Sequence, residues 1–277
     1  MEPSAELEAI HHEIESIYEE INGLKVRFRR TDKPILRPDV EWPADRGVNR
    51  DFAICCLLNK AATTKAAIFH LIKAGFADDA YSLCRVLTEN AIVVLWLLKG
   101  DEWIEKLDAY CVFMDAARVQ LASSIEKYLP SDSELQMLAD IPDETLSFVR
   151  DIFGPRSTAR WTSTPTNKNG VSVAEMFEDL NSGPGRGAFY EVAYWDMSFL
   201  IHSAPPSLLA LQRYLSDRYE VAVRKDALRA HQALGISNLA TALLLQGASD
   251  RLGLGLDDKL KQIQKKIEAA AWTPPVD

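Results

Sequence analysis

The sequence predicts an all-α fold, an antiparallel helical bundle with an N-terminal heptad helix and a C-terminal cap helix, and three observations carry that prediction. No stretch shows the period-two alternation of a half-buried strand. Three long helical segments, about 50–74, 77–98 and 102–128, are parted only by short breaks at Gly75 and Gly100, so consecutive helices must turn back on one another. The run 80–98 is apolar on nearly every side except at Arg85 and Glu89, and a helix apolar all round belongs in a core. With 277 residues, 47% of them hydrophobic, the chain can build a full core in one or two domains.

Taken in order, the elements begin at Ser4, a plausible N-cap. From there Leu7, Ile10, Ile14, Ile17, Ile21 and Leu24 recur at alternating spacings of three and four, with Glu13, Glu15, Glu19 and Glu20 between them. That is an a/d heptad seam, which must be covered either by the chain's own body or by a second copy; a homodimer through this helix is one expectation. His11 and His12 lie beside the seam, and as sequence neighbours on a helix they are expected to diverge, which argues against a metal site there. Pro34, Pro38 and Pro43 mark a non-helical connector. Its basic cluster, Lys25, Arg27, Arg29, Arg30 and Lys33, reads as solvated surface or as the flank of an anionic ligand. After the three long helices, 130–187 is irregular, with short helices expected at about 132–139, 143–152 and 172–180 and loops at 154–170 and 181–187. Pro205 and Pro206 then break the chain before helices at about 208–217, 222–246 and 257–270. The organisation expected is therefore a heptad helix at 1–30, a linker at 31–48, a bundle at 49–250 carrying the insertion 130–187, and a terminal helix at 256–271.

The formal net charge of -9 argues against a broad basic nucleic-acid footprint, though a small basic cleft remains open, and against membrane-surface binding. The longest uninterrupted apolar run, 91–98, is too short to cross a bilayer. The acidic start Met1-Glu2-Pro3-Ser4 has no signal-peptide character. The four cysteines, Cys55, Cys56, Cys84 and Cys111, sit in apolar helical contexts and read as buried reduced thiols. A cytoplasmic protein is the expectation.

Opposite charges one turn apart on a core helix must be paired or must bind something, because a bare buried charge is costly. A later helix offers partners: Tyr194, Ser198 and His202 are spaced by four and share a face. These five residues could close a buried hydrogen-bond network. Alternatively, Arg85 holds an anion in its planar fork while His202 works as general acid and base, with Glu89, Tyr194 and Ser198 in support. The segment Leu83-Cys84-Arg85-Val86-Leu87-Thr88-Glu89, a downstream tryptophan (Trp161) and the Tyr194, Ser198, His202 helix together resemble an uncharacterised all-helical bacterial domain family with an Arg-x-x-x-Glu … Tyr-x-x-x-Ser-x-x-x-His signature. The resemblance covers roughly 49–202. It implies kinship with helical ribonuclease and nucleotide-binding proteins of toxin–antitoxin and phage-defence loci, whose own Arg-to-His motif would fall on Arg224 and His231. In that chemistry a His moves the proton of an attacking 2′-hydroxyl and an Arg steadies the phosphate, without a metal.

Other sites are weaker. The Gly-rich segment 181–187 follows no strand and lacks Gly-Lys-Ser/Thr, so no nucleotide fingerprint applies. The five histidines form no His-Glu-x-x-His or Glu-x-x-His pair, and no serine occupies a nucleophile elbow; no metal and no cofactor are expected. Two functions stay open: an RNA- or nucleotide-processing protein using Arg85 and His202, or a non-catalytic interaction or ligand-sensing module in which the polar set is structural.

Overall fold

The computed structural model describes residues 4–23, 50–128, 170–180 and 227–271, together with isolated positions between them, and every described element is an α-helix. They are α1 (Ala5–Gly23), α2 (Arg50–Ala74), α3 (Ala77–Leu98), α4 (Trp103–Tyr128), α5 (Val173–Leu180), α6 (Ala227–Leu252) and α7 (Asp257–Ala271). Ser4 caps α1 as expected, its Oγ accepting from the Leu7 amide at 3.3 Å. Ser172 and Glu175 form a reciprocal capping box at the start of α5, with bonds of 2.7 and 3.2 Å. At the end of α2, Gly75 adopts φ 89°, and the Gly75 and Phe76 amides bond back to Ile72 and Leu71. This is the left-handed cap that lets α3 begin two residues later. Asp143, Leu146, Ser147, Val149 and Arg150 are helical, in line with the short helix expected there. The helices expected at 132–139 and 208–217, the basic cluster 25–33 and the Gly-rich segment lie outside the described residues.

The chain divides into two compact units. The first comprises Met1–Val26, Cys55–Trp96 and Phe177–Asp277; the second comprises Arg27–Ile54 and Leu97–Met176. In the first unit, α1, α2, α3, α6 and α7 share a core. The described residues of the α1 seam are all buried: Leu7, Ile14 and Ile17 are 0% exposed, and Ile10 and Ile21 are also buried, while Leu24 lies outside the described residues. Its cover is the chain's own body. Leu256, Leu260, Ile263, Ile267 and Ala270 are buried at the same three-four spacing, and α1 packs against both α6 and α7. Two surface ion pairs mark the register, Glu13 with Lys266 at 2.8 Å and Glu20 with Lys259 at 3.0 Å. As position rises along α1 it falls along α7, so the pair is antiparallel. Of the two covers expected for the α1 seam, the chain's own body is present on its described residues.

In α6, more than half of the buried residues are Ala, Gly or Ser, and Gly247 sits within the helix rather than ending it. A Cβ at Gly247 would meet Leu95 Cδ2 at 2.8 Å, so the glycine permits close approach to α3. The helix runs on past 246 to the left-handed Gly253. Asn238, fully buried, donates to the Leu7 carbonyl at 3.0 Å and ties α6 to the first turn of α1. In the second unit, Arg50 and Asp108 form a bidentate pair of 2.5 and 2.6 Å, with Asp108 completely buried.

Among the described residues, α3 is the one helix long and apolar enough to cross a membrane by length and composition, with mean hydropathy 1.4 over its most apolar window. That exceeds what the uninterrupted run 91–98 suggests, because the window tolerates isolated charges. Its buried Tyr81, Cys84, Leu87 and Ala91, and the Cys84 thiol donating to the Ala233 carbonyl of α6 at 3.2 Å, give it the place of a core helix.

Candidate functional site

The helical repeat places Asp78, Ser82, Arg85 and Glu89 on one stripe of α3, since their spacings of four, three and four follow one face. Arg85 Nε donates to Glu89 Oε1 at 3.0 Å. The side chains keep 19% and 32% of their exposure, so the pair is neither sealed nor fully solvated. One end of the stripe meets α6. There the Arg229 guanidinium lies 4.5 Å from the centre of the Tyr81 ring, and its Nε is 4.0 Å from Asp78 Oδ1. The stripe thus carries two cation–carboxylate pairs in succession along a helix whose other sides are core. Partial exposure means that the sequence expectation of deeply buried charges is too strong: the ridge between α3 and its neighbours stops short of covering them.

Of the other residues singled out in the sequence, Tyr194, Ser198, His202, Trp161 and Arg224 lie outside the described residues. His231 is in α6, 2% exposed, with neither ring nitrogen hydrogen-bonded. It is closed off from solvent, whereas a catalytic role for the Arg224 and His231 motif requires it to face a groove. The cysteines divide. Cys84 is buried, and burial pushes its thiol well above the usual range. Cys56, expected inside, is exposed, and Cys55 and Cys111 are half-buried.

A second cluster was missed by sequence reading. Lys65 of α2 is 2% exposed, lying between Ala61 and Ile68 on the buried face. Its Nζ bonds to Nδ1 of His11 and donates to the His11 carbonyl at 3.3 Å. The His11 ring stacks on Phe69 with centroids 3.9 Å apart. Its Nε2 lies 3.1 Å from Glu15 Oε1, an ion-pair distance off the line of a hydrogen bond. Glu15 Oε2 is 3.0 Å from His12 Nδ1. Burial lowers Lys65 to about 7, with Glu15 pulling the other way. Burial, then the Lys65 charge, lowers His11 to about 4, again against Glu15. For Glu15 itself, burial raises the carboxyl, but His12, His11 and Lys65 outweigh it and the net shift is downward. The expectation that His11 and His12 diverge is corrected here. Their backbones do point apart, but Glu15, one turn on, lies between the i+3 and i+4 directions, and both rings swing toward it. A signal for Lys65 was present: Leu58, Ala61, Lys65, Ile68 and Ile72 recur at spacings of three and four, so a lysine holds a core position.

A family described as "Family of unknown function (DUF5677)" matches residues 51–220, a stretch that includes Arg85, Glu89 and Lys65. No curated protein and no solved structure matches the chain.

Proposed function

Because the chain belongs to this family of unknown function, whose matched stretch carries the charged stripe of α3, we propose that the protein processes RNA or a nucleotide at Arg85. The observation that carries this reading is the partial opening of the Arg85 and Glu89 pair on an otherwise core helix. A purely structural pair gains nothing from solvent access, whereas a guanidinium that receives phosphate needs it. In the proposed reaction an imidazole, assigned to His202, takes the proton of the 2′-hydroxyl. The freed oxygen attacks phosphorus, the bond to the 5′ oxygen breaks, and the imidazolium returns its proton to that leaving oxygen. The product pair is a 2′,3′-cyclic phosphate and a 5′-hydroxyl. Arg85 holds the charge that builds on the phosphate, and Glu89 keeps the guanidinium oriented. For a nucleotide substrate the same anion grip applies.

A second reading, a non-catalytic interaction or ligand-sensing module, is favoured by the closed Arg85–Glu89 bond itself, since the pair already satisfies both charges. Cleavage and binding of labelled single-stranded RNA and of a nucleotide panel by wild type, Arg85→Ala and His202→Ala separate the two, with thermal melts to verify folding. The processing reading expects turnover by wild type and a loss of about 100-fold or more in each folded variant. Folded variants with full activity, or a wild type that neither binds nor turns over any member of the panel, overturn it.

A further inference from the structure

We propose that His11, His12 and Glu15 form a binding site for a divalent first-row transition-metal ion of the Zn²⁺ class at the solvent edge of α1. One nitrogen from each imidazole and one carboxylate oxygen lie within 4.8 Å of one another, and among the described residues no other three His, Cys, Asp or Glu side chains converge in this way. Zn–N and Zn–O bonds of about 2.0–2.2 Å put the ligand atoms of one ion roughly 3–3.5 Å apart. The two contacts to Glu15 have that spacing, one on each carboxylate oxygen: His11 Nε2 lies 3.1 Å from Oε1 and His12 Nδ1 3.0 Å from Oε2. Gathering one oxygen and two nitrogens around one ion takes a small rotation of Glu15 and His12, whose side chains are 45% and 62% exposed. The donor set selects the ion: two imidazoles with one carboxylate suit Zn²⁺ and its neighbours, whereas Mg²⁺ and Ca²⁺ favour oxygen throughout. Two histidines and one carboxylate leave a fourth position for water or an outside ligand.

What distinguishes this trio from a chance surface grouping is the support behind it. A metal-bound imidazole is held by a partner on its other nitrogen. His11 has one in Lys65, on α2, and its ring face is fixed by Phe69. The site lies on α1, outside the matched family stretch, and is independent of the role proposed for Arg85.

The test uses the full chain stripped with a chelator, carrying Cys56→Ser so that the exposed thiol takes no metal. Equilibrium dialysis against Zn²⁺ and the visible absorption of added Co²⁺ are read for this protein and for His12→Ala and Glu15→Gln made in it. His12 is exposed, so its variant retains the fold and keeps the test decisive even where Glu15→Gln does not. The expected result is one ion per chain, a Co²⁺ spectrum of tetrahedral or five-coordinate type, and at least about 10-fold weaker binding in each variant, the lower end of what disturbing a metal site costs. Failure of the parent to take up Zn²⁺, or equal uptake by His12→Ala, overturns the proposal.

Discussion

Single residues set the chemistry of this protein through what surrounds them. Lys65 illustrates the point, because its ammonium is stripped of water and compensated by an imidazole, a carbonyl and the nearby Glu15 charge, which do not make up the loss. In the unfolded chain Lys65 keeps its proton up to near 10.5, and in the folded chain only to about 7. Between those values the unfolded state binds more protons, so stability rises with pH, by up to about 1.4 kcal/mol per unit for one such group. His11, lowered to about 4 from 6.5, adds a rise of the same sign between those two values. Tyr18, whose hydroxyl burial pushes upward, turns the curve down above its ordinary 10.0. Lys65→Met is expected to flatten the rise between pH 7 and 10, measured by urea unfolding in the presence of a chelator. Asp108 is the opposite case, a buried carboxylate fully engaged by Arg50, which is itself only 11% exposed. Asp108→Ala strands the guanidinium and is expected to destabilise by about 3–5 kcal/mol, read from the same unfolding curves. The sequence announced Arg85 and Glu89 because they interrupt an apolar run. Asp108 lies in no run apolar enough to make a charge conspicuous, and Lys65 shows only as a lysine at a core position of the three-four repeat of α2.

At the level of elements, the long helices were legible because apolar spacing and glycine caps agree. The bounds Arg50–Ala74 and Ala77–Leu98 follow directly from Gly75 and the apolar repeat. The end of α6 was misplaced, since a glycine in a helix can mean either a stop or a close contact, and only packing against Leu95 decides which. The heptad seam of α1 was legible as a seam, but its partner was not. Periodicity states that an apolar face is covered, not by what. The answer is a second seam of matching period in α7, aligned by surface ion pairs worth only about 0–1 kcal/mol each. Register therefore rests on the buried isoleucines. Ending the chain before Asp257 uncovers the seam, and the truncated protein is expected to self-associate in sedimentation velocity while the intact chain does not use this face. A folded, monomeric truncated chain contradicts that expectation.

For the molecule as a whole, charge sets the terms on which an anionic ligand is met. The chain is acidic at -9, so approach of RNA is opposed at long range and any grip must be local. Arg85 and Arg229 are the two cations along the α3 stripe. If they supply the phosphate contacts, the slope of log affinity against log salt for single-stranded RNA is expected near -1.4, at about -0.7 per contact. A much steeper slope would locate binding at a wider basic surface such as the cluster at 25–33. Fold class was readable because no competing pattern of strands existed. The candidate site was readable only in its α3 half, because the partners of a stripe are chosen by tertiary packing that sequence spacing does not encode.

The antiparallel match of α1 with α7 also has a history in time. Glu13 waits for Lys266, 253 residues later, and Glu20 for Lys259, 239 residues later. At about 5–20 residues per second of synthesis, α1 spends roughly 10–50 s with its isoleucine face uncovered by α7. During that interval the isoleucine face of α1 is a natural client surface for a chaperone, and α7 brings the cover that ends the need.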